Sequence, residues 1–411
     1  MRLLRTNPAY RAYFAARITS VAGGAVAPIA LAFAILELGG GGTGIAVVLA
    51  AEYGVWLLAM PVMGALADRA GDLRRLLVVS QIAAAGGQGV EAALIMTRTA
   101  EVWSLSLVAA WGAAAASLSG LAGSRSLVRI VPAGQLVAAN ATFRAAQMAV
   151  AAAAPPAGGL LVMAVGPGPA IVWDAVTFLL AAAWFARLPR MEGTRGRGGG
   201  ARRAELVEGW RAFTGRRWLL ALTLAEACGH AAFMAAFILG PLLAQQRFGG
   251  AQDWGLINGA LALGSSAGAW LASRVPLHRA GAVITAGGAA FAAGPGAMGA
   301  GLALPVVLVA VAAAGLLSGP GQVARRAAVQ IKVPDRRLGR VEGHVLLVES
   351  LPVPLVYLGA GAAADAYGAQ PVIGACAVVM ALAALTPLLV GEVRRLDLSA
   401  DSGAEGDAAA R

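Results

Sequence analysis

Long apolar runs alternate with short polar segments along almost the whole chain. The longest stretch without Asp, Glu, Lys or Arg is the 45 residues from Ala280 to Ala324. As one helix it would be ~68 Å long at ~1.5 Å per residue, about twice the ~30 Å hydrocarbon core of a bilayer. We therefore expect this stretch to cross a membrane twice, with a turn at residues 299–305.

The same pattern recurs over the rest of the chain and predicts an all-α membrane protein with twelve transmembrane helices. Each run is long enough to span a bilayer and lacks the strict alternation of a barrel strand. The predicted spans are 12–36, 45–67, 76–97, 102–124, 142–165, 169–187, 218–243, 254–273, 280–300, 303–323, 343–364 and 370–390.

Composition agrees with this pattern and excludes two classes of protein. With 59% hydrophobic and 13% charged residues, the chain has too little charge to cover the surface of a soluble globular protein. The net charge of +11 does not predict nucleic-acid binding, because the arginines are distributed between apolar runs instead of forming one soluble face. Cys228 and Cys376 both fall in predicted spans, so we expect neither a disulfide framework nor a metal site.

The distribution of basic residues predicts the orientation. When loops are assigned alternately to the two sides, 29 basic residues fall on one side and only Arg98 and Arg247 on the other. By the positive-inside rule the richer side is cytoplasmic, which places both termini there in a multi-pass protein of the cell inner (plasma) membrane. The predicted organisation is a six-helix bundle at 1–190, a basic cytoplasmic linker at 191–217, a second six-helix bundle at 218–395 and a disordered tail at 396–411.

The loop between spans two and three carries the most specific motif, G-A-L-A-D-R-A-G-D-L-R-R from Gly64 to Arg75. It resembles the G-x-x-x-D-R-x-G-x-R/K motif of the major facilitator superfamily. The resemblance implies a fold of two related six-helix halves, close helix approach at Gly64, and a conformational latch in which Asp68 is a fixed anion. The matching residues are Gly64, Asp68, Arg69 and Gly71, followed by the basic Arg74 and Arg75.

Further segments resemble exporters of the enterobactin-exporter and macrolide-efflux kind, which are proton-coupled. These are the opening residues 4–24, residues 131–141 and the run A-A-A-P-P-A-G-G at 152–159. The last resembles an antiporter element on helix five, in which Pro156, Gly158 and Gly159 would maintain a bend. Two departures stand out: Gly24 occupies a position where these exporters commonly carry an acid, and the loop after span eight, at 268–279, has no Asp.

Ionisable residues inside predicted spans are candidates for coupling or substrate binding, because each costs ~2.5–3.5 kcal/mol to insert at a helix centre. Glu226 and His230 lie four residues apart and would share a helical face, which suits either a proton-responsive pair or a structural hydrogen bond. Arg17 and Arg144 could bind an anion or snorkel to the cytoplasmic interface. The candidates are Glu52, Glu226, His230, Glu349, Arg17 and Arg144.

Together these observations predict a secondary transporter, an exporter of a small amphipathic molecule driven by the proton gradient, with no cofactor and no metal. We expect a monomer whose partners are the substrate, protons and the lipid bilayer, with no catalytic residues. An uptake symporter or uniporter of the same fold remains an alternative, as does a non-transporting membrane sensor. An intramembrane lipid enzyme would depend on Ser266, although its G-S-S-A-G setting is better interpreted as helix packing.

Overall fold

The computed structural model describes residues 2–191, 203–274 and 279–398, except for the side chains of 2, 61, 65, 68, 203–206, 273, 335 and 336. Within these ranges every regular element is helical. The α-helices are α1 (Arg2–Thr6), α2 (Pro8–Gly24), α3 (Ala27–Glu37), α4 (Gly41–Arg69), α5 (Leu73–Met96), α6 (Val102–Ile130), α7 (Leu136–Val165), α8 (Pro167–Ala186), α9 (Arg203–Thr214), α10 (Arg217–Arg247), α11 (Ala251–Leu271), α12 (Ala280–Phe291), α13 (Ala293–Gly299), α14 (Leu304–Lys332), α15 (Asp335–Ser350), α16 (Val353–Tyr367), α17 (Ala369–Leu385) and α18 (Gly391–Arg394).

The described helices confirm the predicted all-α membrane fold. Eleven spans are long and apolar enough to cross a bilayer, and α11, with 21 residues, completes a set of twelve in the described part of the chain. The charge-free stretch 280–324 does divide in two, because α13 ends at Gly299 and α14 begins at Leu304. The predicted linker residues 192–202 and tail residues 399–411 lie outside the described residues.

Three spans consist of two consecutive helices, and proline accompanies each break. The first span changes from α2 to α3 just before Pro28, the ninth from α12 to α13 before Pro295, and the eleventh from α15 to α16 around Pro352. Proline lacks an amide hydrogen and its ring clashes with the preceding helical turn, so a helix bends or ends there.

By its internal contacts the chain divides into two compact units. The first unit comprises residues 1–199 and 241–259, and the second comprises residues 200–240 and 260–411. In the first unit, two buried tyrosines of α2 bind carbonyl oxygens of neighbouring helices: Tyr10 Oη donates to Ala139 O at 2.7 Å, and Tyr13 Oη to Gly123 O at 3.1 Å. These bonds satisfy phenol groups that would otherwise be costly to bury.

In the second unit, α11 and α14 cross with their backbones in direct contact. A methyl group on Gly268 would lie 2.5 Å from the Leu316 carbonyl oxygen, and one on Gly315 would lie 2.7 Å from the Ser265 backbone nitrogen. This is the small-residue packing expected between membrane helices. Ser266 Oγ donates to the Ala262 carbonyl one turn earlier in α11, so the 264–268 segment packs helices as the sequence indicated.

The short helix α9 docks on the beginning of α15, also within the second unit. Glu208 bridges two arginines of α15, with contacts of 3.0 Å to Arg337 and 3.1 Å to Arg340. The Trp210 ring packs against the His344 ring with centroids 5.6 Å apart. The end of the linker is thereby attached to the helix that carries Glu349.

Candidate functional site

A cavity of about 310 Å³ lies inside the second unit, among α10, α12, α14 and α17. The periodicity of the helices explains why several polar side chains line this cavity together. On α10, Glu226, His230 and Phe233 follow one another at spacings of four and three residues, so they share one face. On α14, Gln322 and Arg325 lie three residues apart and face the same space.

The predicted pair Glu226 and His230 thus lies in the cavity wall, and the structure adds Arg325 to it. His230 interacts electrostatically with both Glu226 and Arg325. Glu349 interacts with Arg325 and with Glu226, which makes these four residues one charged group in the second unit. Arg325 was absent from the sequence candidates because it adjoins Arg326 in a basic segment, which was counted only toward the cytoplasmic side.

Arg325 and Glu349 form an ion pair that joins α14 to α15. Arg325 Nη2 donates to Glu349 Oε1 at 2.6 Å, and the two side chains are only 18% and 15% exposed. The other terminal nitrogen, Nη1, is buried and has no hydrogen-bond partner among the described residues. Arg325 also borders a smaller cavity of about 120 Å³, which Glu349 and Glu342 line. The guanidinium therefore stands between two cavities.

Part of the lining of the larger cavity is apolar. Phe233 of α10 and Phe291 of α12 pack with ring centroids 4.8 Å apart, and Met380 of α17 belongs to the same cluster. Because the lining combines aromatic rings with charged side chains, the cavity is suited to a small molecule with an apolar ring and a polar group.

The first unit contains a second group of embedded acids, of which only Glu52 was a sequence candidate. Glu91 on α5 interacts electrostatically with Glu52 on α4 and with Asp174 on α8. Glu91 is 2% exposed and Asp174 is 1% exposed. Asp174 Oδ1 accepts from Thr177 Oγ1 at 3.2 Å, whereas Oδ2 has no hydrogen-bond partner in the described part of the chain. The sequence indication for Asp174 was its place in a predicted span.

The two candidate arginines of the first unit have different surroundings. Arg17 lies partly buried on α2, its guanidinium carbon 5.7 Å from the centre of the Phe143 ring, and its Nε is buried without a described partner. Arg144 on α7 is exposed and donates to Gln147 Oε1 at 3.1 Å, one turn further along the same helix.

The loop after α4 is organised by a residue at one of the unspecified positions of the motif. Asp72 is the N-cap of α5, and its Oδ1 accepts from the backbone nitrogens of Arg74 at 2.9 Å and Met191 at 3.2 Å. The loop is thereby tied to the segment that follows α8. The side chain of Asp68 lies outside the described residues, so its latch role stays a prediction.

The other motif positions lie at the end of α4 and in the loop that follows it. Gly64 has no described heavy atom within 4 Å of where a methyl group would stand, and the close helix approach expected there stays a prediction. A methyl group on Gly71 would likewise have no described heavy atom within 4 Å. Arg69 and Arg75 are exposed, and Arg74 is half-buried.

The predicted helix-five element is part of one continuous helix, α7, which includes Pro155 and Pro156. Its glycines are contact points within the first unit. A methyl group on Gly158 would lie 3.0 Å from Val26 Cγ2, and one on Gly159 would overlap the carbonyl oxygen of Ala251, at the beginning of α11. Helix α7 thus meets the beginning of α11 at Gly159, where a methyl group would overlap backbone, and meets the break between α2 and α3 at Gly158, where a methyl group would be tightly packed.

The family follows from a comparison of the sequence with protein-family models. The model described as Major Facilitator Superfamily matches residues 12–353. The chain belongs to the major facilitator superfamily. No curated protein matches the chain. Membership in this superfamily identifies a multi-pass membrane transporter of a small molecule.

Solved structures of facilitator transporters share the fold over almost the whole chain. The crystal structure of the nucleoside transporter NupG has a TM-score of 0.72 at 12% identity, covering 92% of this chain and 98% of that one. The crystal structure of a bacterial homolog of the human lysosomal transporter Spinster, inward-facing and unoccupied, has a TM-score of 0.71 at 13% identity and covers 94% of this chain and 97% of that one. The crystal structure of a bacterial homologue of the iron transporter ferroportin, also inward-facing, has a TM-score of 0.69 at 14% identity and covers 93% of this chain and 99% of that one.

Proposed function

We propose that this facilitator is a proton-coupled exporter of a small amphipathic molecule that works by alternating access in the cell inner membrane. The observation that carries the proposal is the Arg325–Glu349 ion pair at the wall of a cavity that also contains Glu226 and His230. The proton gradient supplies the energy, without a cofactor or metal, and the working unit is a monomer. Export is favoured by the resemblance of residues 4–24, 131–141 and 152–159 to enterobactin and macrolide exporters.

The ion pair gives a physical reason why the protein would exchange its substrate for a proton. When Glu349 is ionised, its oxygen holds Arg325 in position against the cavity. A proton on Glu349 removes the opposite charge, so Arg325 loses the partner that orients it. A substrate that needs an oriented Arg325 therefore binds better to the deprotonated protein. By linkage the proton then binds better to the empty protein, which is the condition for antiport.

Glu226 adds a second position for a proton on the same cavity. It lies one helical turn from His230 and interacts electrostatically with both His230 and Glu349. In the first unit, Glu52 belongs to a separate group with Glu91 and Asp174. We assign coupling to Glu349 and Glu226 first, because Glu349 is hydrogen-bonded to Arg325 and Glu226 lines the larger cavity together with Arg325.

The test begins with a substrate screen and ends with a coupling measurement. Cells that overproduce the protein are screened for resistance to dyes, antibiotics and siderophores, and the compound found is loaded into proteoliposomes. An imposed pH gradient should accelerate its movement, and trapped pyranine should report proton movement in the opposite direction. Equal rates with and without the gradient would exclude antiport and leave a uniporter.

Variants at the ion pair separate coupling from folding. Glu349→Gln and Glu226→Gln should each reduce proton-driven flux at least about tenfold, the scale expected when a hydrogen bond to a charged group is lost. The matched control is Glu37→Gln, an exposed acid at the end of α3 that lines neither cavity. Accumulation in intact cells instead of everted vesicles would favour the uptake symporter, and binding without any flux would favour the sensor.

A further inference from the structure

A cavity of about 650 Å³ lies in the first unit, where α5 begins and α8 ends. Three arginines line it: Arg74 and Arg75 in the first turn of α5, and Arg190 shortly after α8. Arginine stays protonated in proteins, so three positive charges adjoin one space. The cavity therefore favours an anionic occupant unless acids in its lining cancel these charges.

Asp72 is the one acid among the described residues that line this cavity, and its carboxylate is already engaged within the loop. Its Oδ1 accepts from the backbone nitrogens of Arg74 and Met191, and its Oδ2 lies 3.9 Å from Arg74 Nε. Arg75 and Arg190, in contrast, are exposed. The described lining has a net positive charge whether or not Asp72 is ionised.

The chemistry of the guanidinium group and the depth of the cavity both indicate a lipid headgroup. The planar fork of a guanidinium pairs with the oxygens of a phosphate, often through two parallel hydrogen bonds. Near the end of α8, the guanidinium carbon of Arg187 lies 4.3 Å from the centre of the Trp184 ring. Tryptophan is enriched at the level of the headgroups, and basic pockets between spans on the cytoplasmic side bind anionic headgroups.

Both helices that meet at the cavity continue into the membrane with exposed apolar side chains, and they pack against each other. On α5, Val79 and Ile82 follow Arg75 at spacings of four and three residues and are 51% and 52% exposed. On α8, Leu179 lies two turns before Ala186, which lines the cavity, and is 51% exposed. Acyl chains cover such side chains in a bilayer, so apolar surface for a lipid tail adjoins the arginines.

We propose that this cavity binds the headgroup phosphate of an anionic phospholipid in the leaflet on the arginine-rich side of the membrane. Arg75 and Arg190 donate to the phosphate oxygens, and Arg74, held by Asp72, adds a fixed positive charge. The acyl chains lie along the exposed apolar side chains of α5 and α8. The inference concerns the first unit only and does not depend on which substrate the protein transports.

Three matched probes test the ligand class on the purified, delipidated full-length protein in detergent, with binding measured by native mass spectrometry. Dioleoylphosphatidylglycerol has acyl chains and a net negative charge, and dioleoylphosphatidylcholine has the same chains and a phosphate without net charge. Glycerol 3-phosphate has the phosphate without the chains. Phosphatidylglycerol should bind at least about tenfold more tightly than phosphatidylcholine, because two exposed arginines face its net charge. Glycerol 3-phosphate should show no binding at the same concentrations, because it lacks the apolar contacts.

Variants then test the two exposed arginines. The double variant Arg75→Gln with Arg190→Gln should weaken phosphatidylglycerol binding about 25-fold, or about fivefold for each basic residue removed near an anionic lipid. The matched control is Arg5→Gln with Arg11→Gln, which removes the same charge from two exposed arginines of the first unit that do not line the cavity. The control should bind phosphatidylglycerol as the wild type does. Thermal unfolding in phosphatidylcholine nanodiscs verifies that both double variants are folded.

A loss of phosphatidylglycerol binding in the Arg75 and Arg190 variant alone would support the inference. Equal affinity for the two lipids would overturn it, because the binding would then be general contact with lipid. An equal loss in the Arg5 and Arg11 control would also overturn it, since only the net charge of the protein would then matter. Glycerol 3-phosphate bound as tightly as phosphatidylglycerol would show a site for free phosphate instead. None of these measurements involves substrate flux, so the proposed function is tested separately.

Discussion

Substitution of Gly315 by alanine perturbs a close backbone contact between α14 and α11 in the second unit. The added methyl group would lie 2.7 Å from the Ser265 backbone nitrogen and 2.8 Å from the Leu261 carbonyl oxygen. Ordinary van der Waals contact begins at 3.4 Å, so the shortfall is 0.6–0.7 Å. Both neighbours are backbone atoms of a helix, which cannot rotate away as a side chain can. The two helices must therefore move apart.

The magnitude follows from two opposing effects. Forcing an extra methyl group into a packed interior costs ~1–3 kcal/mol. Replacing glycine by alanine in a helix returns ~1 kcal/mol through helix propensity. Because both obstacles are backbone atoms, the cost lies at the upper end of that range, and we expect a net loss of about 2 kcal/mol in the free energy of unfolding. Because Arg325 follows ten residues later on α14, the shift should also weaken ligand binding in the cavity.

Thermal unfolding of the purified protein in detergent or nanodiscs measures the effect, and Gly359→Ala on α16 is the matched control. No described heavy atom lies within 4 Å of a methyl group at Gly359, so this variant keeps only the helix-propensity gain of up to ~1 kcal/mol. The two substitutions should thus have opposite signs. The backbone-contact argument would be refuted if the Gly315→Ala variant were as stable as the wild type. It would also be refuted if Gly359→Ala lost as much stability as Gly315→Ala.

Three further predictions concern the first unit. Asp174→Asn should raise the melting temperature, because an amide costs less to bury than a carboxylate whose Oδ2 has no partner in the described residues; a lower melting temperature would contradict this. Gly159→Ala should slow the initial rate of transport in proteoliposomes, since its methyl group overlaps the Ala251 carbonyl oxygen; an unchanged rate would show that this contact is unimportant for transport. Tyr10→Phe should lose about 1 kcal/mol of stability in chemical unfolding, because Ala139 O loses its buried donor.

The fold was predictable because its main constraint, the length of each apolar run, can be read along the sequence. A helix that crosses a bilayer needs about 20 consecutive apolar residues, and the spacing of arginines marks the ends of those runs. The segment Ala280–Ala324 could only be two spans, and the structure has two. Breaks inside spans were missed, since the change from α2 to α3 depends on local glycine and proline positions within an uninterrupted apolar run.

The candidate site was only partly predictable. Glu226 and His230 share a helical face at a spacing of four residues, which is local information, and both lie in the cavity wall. Asp72 was missed because its role as an N-cap bound to Met191 joins residues that are far apart in sequence. Asp174 and Glu91 belong to different helices, and the rotation of each helix about its axis decides whether their side chains face each other.

The sequence by itself determined that this protein is helical, spans a membrane and belongs among the facilitators, because these properties depend on the length, composition and order of its apolar runs. Only the tertiary structure decided which polar side chains meet. Arg325 and Glu349 are 24 residues apart on separate helices, and their 2.6 Å contact depends on how α14 and α15 are packed and rotated. That packing also leaves Arg325 Nη1 buried without an acceptor among the described residues.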